Sequence, residues 1–138
     1  MIISWNTTNA CNMFCDHCYR DAGCKADEEL NTQEAKTLLE QIAKAGFKIM
    51  IFSGGEPLMR PDIVELVEYA TKLGLRSVFG TNGTLITEEM ALKLKNAGAM
   101  GMGISLDSMD AEKHNNFRKF PNAWEGAVRG MRNCRKVG

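Results

Sequence analysis

Three stretches of the chain share one layout: Lys44-Ala45-Gly46-Phe47-Lys48, Lys72-Leu73-Gly74-Leu75-Arg76 and Asn96-Ala97-Gly98-Ala99-Met100. Each carries a helical apolar period up to a glycine and a short apolar run beyond it, the pattern of a helix closed by a left-handed residue and followed by a strand. The periods are Ala35, Leu38, Leu39 and Ile42; Ile63, Leu66, Val67, Ala70 and Leu73; and Met90, Ala91, Leu94 and Ala97. The helix starts agree. Asn31 and Glu34 are placed as a capping box, Pro61 stands at a first-turn position, and Thr87 caps a helix opened by two glutamates. Apolar runs near residues 2–7, 48–52, 76–80 and 100–106 read as strands. Strands alternating with helices give an α/β fold of parallel βα units joined right-handedly.

A fourth helix is expected after Pro121, where Trp124, Ala127, Val128, Met131 and Cys134 share a stripe, and Lys136-Val137-Gly138 repeats the junction once more. A complete eight-unit barrel takes about 250 residues. Residues 1–138 are therefore expected to form one truncated domain of about four units, the N-terminal part of a partial TIM-type (βα)6 barrel, with strand five onward and any C-terminal domain absent. Such a cut uncovers a strand edge and an inner face, so self-association by strand pairing is expected.

Charge narrows the partners. With 17 basic and 17 acidic residues, nothing favours nucleic acid or an acidic membrane surface. The longest purely aliphatic or aromatic run, residues 49–52, is too short to span a bilayer, and a cytoplasmic location is expected. In that reducing compartment five cysteines point to metal binding or catalysis before disulfides. Three of them, Cys11, Cys15 and Cys18, have C-x3-C-x2-C spacing. Thiolates select iron–sulfur clusters, zinc or copper(I), and a cubane normally takes four cysteines, so three imply one iron kept open for substrate or cosubstrate.

In parallel βα folds, sites gather at the carboxyl ends of strands, and every unusual polar segment here has that phase. The cysteine loop follows strand one, Gly54-Gly55-Glu56-Pro57 strand two, Thr81-Asn82-Gly83 strand three, and Ser105-Leu106-Asp107-Ser108 closes strand four. They should meet on one rim. Alternation along strand four puts Met102, Ile104 and Leu106 toward helices and Gly101, Gly103, Ser105 and Asp107 on the other face, bare in the middle and polar at its end.

With Cys11-Asn12-Met13-Phe14-Cys15-Asp16-His17-Cys18, the Gly-Gly-Glu-Pro segment and the serine–aspartate strand end in place, the chain resembles the radical S-adenosylmethionine superfamily over almost its whole length. The resemblance implies a 4Fe-4S cluster on Cys11, Cys15 and Cys18. Its fourth iron would be chelated by the amino and carboxylate groups of S-adenosylmethionine, whose reductive cleavage yields a 5′-deoxyadenosyl radical. It further implies that Gly54, Gly55 and Glu56 receive the methionine amino group, largely through main-chain atoms, and that Ser105 and Asp107 meet the ribose or nearby polar atoms. His17 would flank the adenine, Asn82 is a further cofactor candidate, and Arg118 resembles an arginine that pairs with the methionine carboxylate in some members, a contact its planar fork suits.

Cys18-Tyr19-Arg20-Asp21-Ala22-Gly23 and the N-terminal run look similar to radical enzymes of haem d1 and alternative haem biosynthesis. That implies side-chain removal or modification on a sirohaem-derived tetrapyrrole, with an electron donor such as ferredoxin or flavodoxin. A peptide- or cofactor-modifying radical enzyme is the alternative. From another class, a zinc-stabilised, non-catalytic binding module could use Cys11, Cys15, Cys18 and His17 as a closed set. No general acid or base can be named. Cys134 reads as an inert thiol and Cys24 as a spare one. His114 reads as a solvated histidine, Glu28 and Glu29 as a solvated loop face, Trp5 and Phe79 as core, and the methionines, Met50, Met100, Met102 and Met131 among them, as packing elements.

Overall fold

The computed structural model describes all 138 residues. Four strands, β1 (Ile2–Asn6), β2 (Ile49–Ser53), β3 (Arg76–Thr81) and β4 (Ala99–Ile104), form one parallel sheet in chain order. Between and after them lie α1 (Thr32–Lys44), α2 (Ile63–Lys72), α3 (Glu88–Ala97), α4 (Ala111–Arg118) and α5 (Ala123–Val137), with a 3₁₀ turn at Pro57–Met59. This is the alternating α/β architecture that the repeated junction predicts. Gly46, Gly74 and Gly98 have φ of 85°, 78° and 100°, so all three helices do stop at a left-handed glycine.

Local chemistry accounts for the helix starts. The Asn31 side chain accepts from the N–H groups of Gln33 and Glu34, and Glu34 returns a bond to the Asn31 N–H, the reciprocal box that the sequence suggests. Thr87 accepts from Met90 N–H, with Glu88 and Glu89 in the first turn. Pro61 is a correction: it precedes Asp62, the residue that caps α2, and so lies outside the first turn.

Register aligns Trp5, Phe52, Phe79 and Met102 across the four strands on the face toward the helices. Phe52 and Phe79 stack at 5.4 Å, and Leu39, Leu66, Val67 and Leu94 close the core over them. The other face carries Ser4, Ile51, Val78 and Gly101 in register; none of these is buried, and Ile2 beside them is 60% exposed. Phe79 is a core residue, as expected, and Trp5 packs half-buried against the core. Met50 is buried, but Met100 is 64% exposed, against expectation. No helix is long and apolar enough to cross a membrane.

Two elements depart from the sequence reading. α4 has no apolar stripe to announce it, and its one buried side chain is His114, only 1% exposed where solvent was expected. The imidazole Nδ1 accepts from Asp107 N–H at 3.2 Å, which replaces the lost water. In α5 the buried positions are Ala123, Gly126, Ala127 and Gly130, while Trp124, Val128 and Met131 of the expected stripe are only half-buried. Small residues are needed because a Cβ on Gly130 would meet the Gly83 carbonyl at 2.4 Å.

Candidate functional site

The cysteines lie in the long connection between β1 and α1, and its two ends are tied down by side chains. Arg60, buried against the Trp5 ring, donates to the carbonyls of Thr7 and Leu30, one at each end of the connection, and pairs with Asp62. Glu29, expected to be solvated, instead accepts from Thr8 Oγ1, Asn9 N–H and Ala26 N–H. Burial pushes its carboxyl up, but the bonds from Asn9, Ala26 and Thr8 outweigh that and hold it below the usual range. Within the loop, Cys11 N–H donates to Gly23 and Gly23 N–H to Asn9, so the cysteine segment closes on itself.

The segment after β2 is laid against this loop. Gly55 N–H donates to the Thr8 carbonyl at 2.8 Å and Glu56 N–H to Ala10 at 2.7 Å. The approach demands glycine, since a Cβ on Gly55 would stand 2.3 Å from the Ala10 carbonyl oxygen. Glu56 turns inward and is fully buried, accepting from Leu58 N–H, Thr81 Oγ1 and Asn82 N–H. Burial raises its pKa, and the three donors only partly offset that.

One cavity of about 270 Å³ collects the rim. Of the expected site residues, Cys11, Cys15, Cys18, His17, Gly54, Gly55, Asn82, Ser105 and Arg118 line it; Glu56 and Asp107 do not. The Asp107 carboxylate is taken by Arg118, with Nε to Oδ2 at 2.6 Å and a second guanidinium bond at 2.8 Å. That bond chiefly holds the Asp107 carboxyl low. Arg118 in turn stands beside the Cys15 thiol, and His17 stacks on Phe117 at 4.0 Å with ring planes 2° apart.

Sequence reasoning left out Ser53 and Gly80 and gave Thr81 and Arg20 no role of their own, though all four line the cavity. Ser53 and Gly80 could have been found from alternation, because they lie near the carboxyl ends of β2 and β3 on the face away from the helices. Arg20 was visible only as part of a motif. Its guanidinium makes no hydrogen bond or ion pair within the chain, unlike that of Arg118.

The thiols test which group fits. No three or more His, Cys, Asp and Glu side chains gather closely enough to hold a single metal ion, and His17 is stacked on Phe117. A cubane takes each thiolate on a different iron, so it suits three cysteines spread around one cavity better than a single tetrahedral ion does. Burial raises the Cys11 and Cys15 pKa, so these thiols are protonated until a metal displaces the proton.

The chain belongs to the radical SAM superfamily, whose model matches residues 5–138. Over 138 residues it is 44% identical to the Fe-coproporphyrin III synthase of Methanosarcina barkeri, covering 99% of this chain and 34% of that protein. It is equally 44% identical to the AdoMet-dependent heme synthase of Oleidesulfovibrio alaskensis, covering 99% and 36%. The chain thus spans about a third of the length of these relatives. Among solved structures it matches native anSMEcpe with bound AdoMet at TM-score 0.77 and 22% identity, over 99% of this chain and 40% of that one, a likeness of fold. Membership implies a 4Fe-4S cluster and S-adenosylmethionine as cofactors.

Proposed function

We propose that this member of the radical SAM superfamily is the cofactor-binding core of an enzyme that removes or alters a carboxylate-bearing side chain of a sirohaem-derived tetrapyrrole. The observation that carries the reading is the meeting of Cys11, Cys15, Cys18, Gly54, Gly55, Ser105 and Arg118 around one cavity. When bound, the reduced cluster supplies the electron that splits S-adenosylmethionine into methionine and a 5′-deoxyadenosyl radical. Ferredoxin or flavodoxin is the proposed source of that electron.

The chain's own residues have distinct tasks. Cys11, Cys15 and Cys18 would hold the cluster through their thiolates. The N–H groups of Gly55 and Glu56 are committed to Thr8 and Ala10, so this segment offers carbonyl oxygens, the acceptors that a protonated methionine amine needs. Arg118, oriented by Asp107, presents its remaining donors to the methionine carboxylate. Asp107 therefore acts on the cofactor through Arg118, while Ser105 and Asn82 face the cavity with polar groups. His17 flanks the adenine with its ring held flat by Phe117.

The substrate class rests on the relatives named as haem and Fe-coproporphyrin synthases, and on Arg20, an exposed guanidinium at the edge of the cavity with no partner within the chain. A propionate or acetate side chain is the partner that such a fork selects.

The test is anaerobic reconstitution of the full-length protein with iron and sulfide, then dithionite and S-adenosylmethionine. Release of 5′-deoxyadenosine is expected, with loss of carboxylate-bearing side-chain mass from an added sirohaem derivative or iron-coproporphyrin. Deoxyadenosine without any change in the tetrapyrrole would point to a peptide- or cofactor-modifying enzyme. Persistent zinc without cleavage would overturn the reading.

A further inference from the structure

We infer that Asn12, Asn82 and Thr84 are positioning residues: a closed ring of side-chain hydrogen bonds, anchored on Glu56, that sets where the first cluster cysteine stands. Asn82 Nδ2 donates to Asn12 Oδ1 at 2.8 Å, Asn12 Nδ2 donates to Thr84 Oγ1 at 3.0 Å, and Thr84 Oγ1 donates to Asn82 Oδ1 at 2.7 Å. Each group gives to the next around the circuit, the arrangement in which hydrogen bonds polarise one another in the same sense. Thr84 N–H adds a second bond to Asn82 Oδ1, at 3.0 Å, and fills its acceptor capacity.

The ring joins three motifs far apart in sequence. Asn12 follows Cys11 directly, and both ends of its amide are held by the turn after β3. That turn is held in its place from below. Asn82 N–H donates to Glu56 Oε2 at 2.8 Å and Thr81 Oγ1 to Glu56 Oε1 at 2.7 Å, where the carboxylate is fully buried. Glu56 thus serves the site as a strut under its floor. The path runs from the buried carboxylate through the Asn82 backbone and the ring to the residue beside Cys11. A shift of the β3 turn must move that cysteine relative to Cys15 and Cys18, which lie outside the circuit.

The inference rests on the cysteines being cluster ligands, and its test is made on metal-free thiols so that the two can fail separately. Full-length protein, reduced and chelated, is pulsed with iodoacetamide, and alkylation is read by mass spectrometry at each cysteine, with exposed Cys24 as internal standard. Thr84→Val and Asn12→Ala each remove two of the ring's side-chain bonds, and each should raise the Cys11 rate about tenfold or more, in line with the net worth of two hydrogen bonds. Cys24 should not change. Thr84→Ser keeps the hydroxyl and should stay within about twofold of wild type by the same reasoning. Iron extraction by a chelator should speed up in the reconstituted Thr84→Val and Asn12→Ala proteins and not in Thr84→Ser. Equal Cys11 rates in wild type, Thr84→Val and Asn12→Ala would overturn the inference. So would a Thr84→Ser protein that behaves like Thr84→Val, or a parallel rise at Cys24, which marks general loosening.

Discussion

The core behind the sheet and the polar struts under the rim are both buried, but they are held by opposite means. Behind the sheet, Leu39, Phe52 and Leu66 are fully buried among aliphatic and aromatic neighbours. At the rim, Glu56 is equally buried and Arg60 nearly so, each bonded through both ends of its polar group. Apolar packing asks for volume and accepts several side chains that supply it. A buried polar group asks for one partner at one distance, and losing that partner leaves a stranded donor or acceptor. The core should therefore tolerate exchange that conserves volume, and the rim should not.

The largest expected effect lies in the core. Leu66→Ala should cost about 2–5 kcal/mol in urea unfolding, since the removed side chain leaves a cavity, whereas Leu66→Met should cost less than about 1.5 kcal/mol. Glu56→Gln conserves volume as closely, yet its amide turns a donor toward one of the N–H or O–H groups now served by carboxylate oxygen. A cost of about 1–3 kcal/mol is expected, together with reduced iron uptake. A Glu56→Gln protein as stable as Leu66→Met would break the contrast.

Glycines sharpen it next. At Gly46, φ is 85° but nothing lies within 4 Å of an added Cβ, so alanine there meets only backbone strain of about 1–2 kcal/mol. At Gly55 the added Cβ would meet the Ala10 carbonyl oxygen at 2.3 Å and the Asn9 carbonyl at 2.8 Å, main-chain atoms with no rotamer to change. Overpacking of this kind costs about 1–3 kcal/mol. Gly55→Ala should also lower the iron content after reconstitution, which Gly46→Ala should leave unchanged. Equal iron content in the two variants would count against the close approach as a requirement of the site.

The same contrast explains what could be read from residues alone. Periodicity reports burial of apolar groups, so the helices before Gly46, Gly74 and Gly98 and the four strands were legible, as was the convergence of the cysteines with Gly54, Gly55 and Ser105. It is silent on polar burial. α4 has no apolar period because its inward residue is a histidine, and nothing in Asp107, His114 or Arg118 says that they bond one another across a turn. Glu29 looks in sequence like any exposed glutamate, and the motif that singles out Glu56 does not say that its carboxylate is buried; only the fold brings each its donors. The buried stripe of α5 was misplaced for a related reason. Glycine and alanine carry little hydrophobic signal, yet close contact with the β3 turn selects them.

The smallest effect comes from the pair at the neck of the cysteine connection. Asp62 caps α2 by position but gives the helix no side-chain bond; its carboxylate is turned to Arg60 and Thr32 instead. Burial pushes its pKa up, and the bonds from Arg60 and Thr32 with the Arg60 charge outweigh this, so the folded value lies below the ordinary one. A carboxylate depressed on folding adds stability that is fully present above its unfolded pKa of about 3.9 and is lost as pH falls through the folded value. Part of the acid sensitivity below about pH 4 should therefore belong to Asp62. Asp62→Asn should lower the urea midpoint modestly at pH 6 and narrow the gap from wild type as the pH drops toward 3. Because Arg60 then loses a partner while still holding Thr7 and Leu30, iron uptake at neutral pH should change little. A gap that stays constant from pH 6 to 3 would mean that the carboxylate acts by shape and not by charge, and would move this pair from the rim's logic to that of the core.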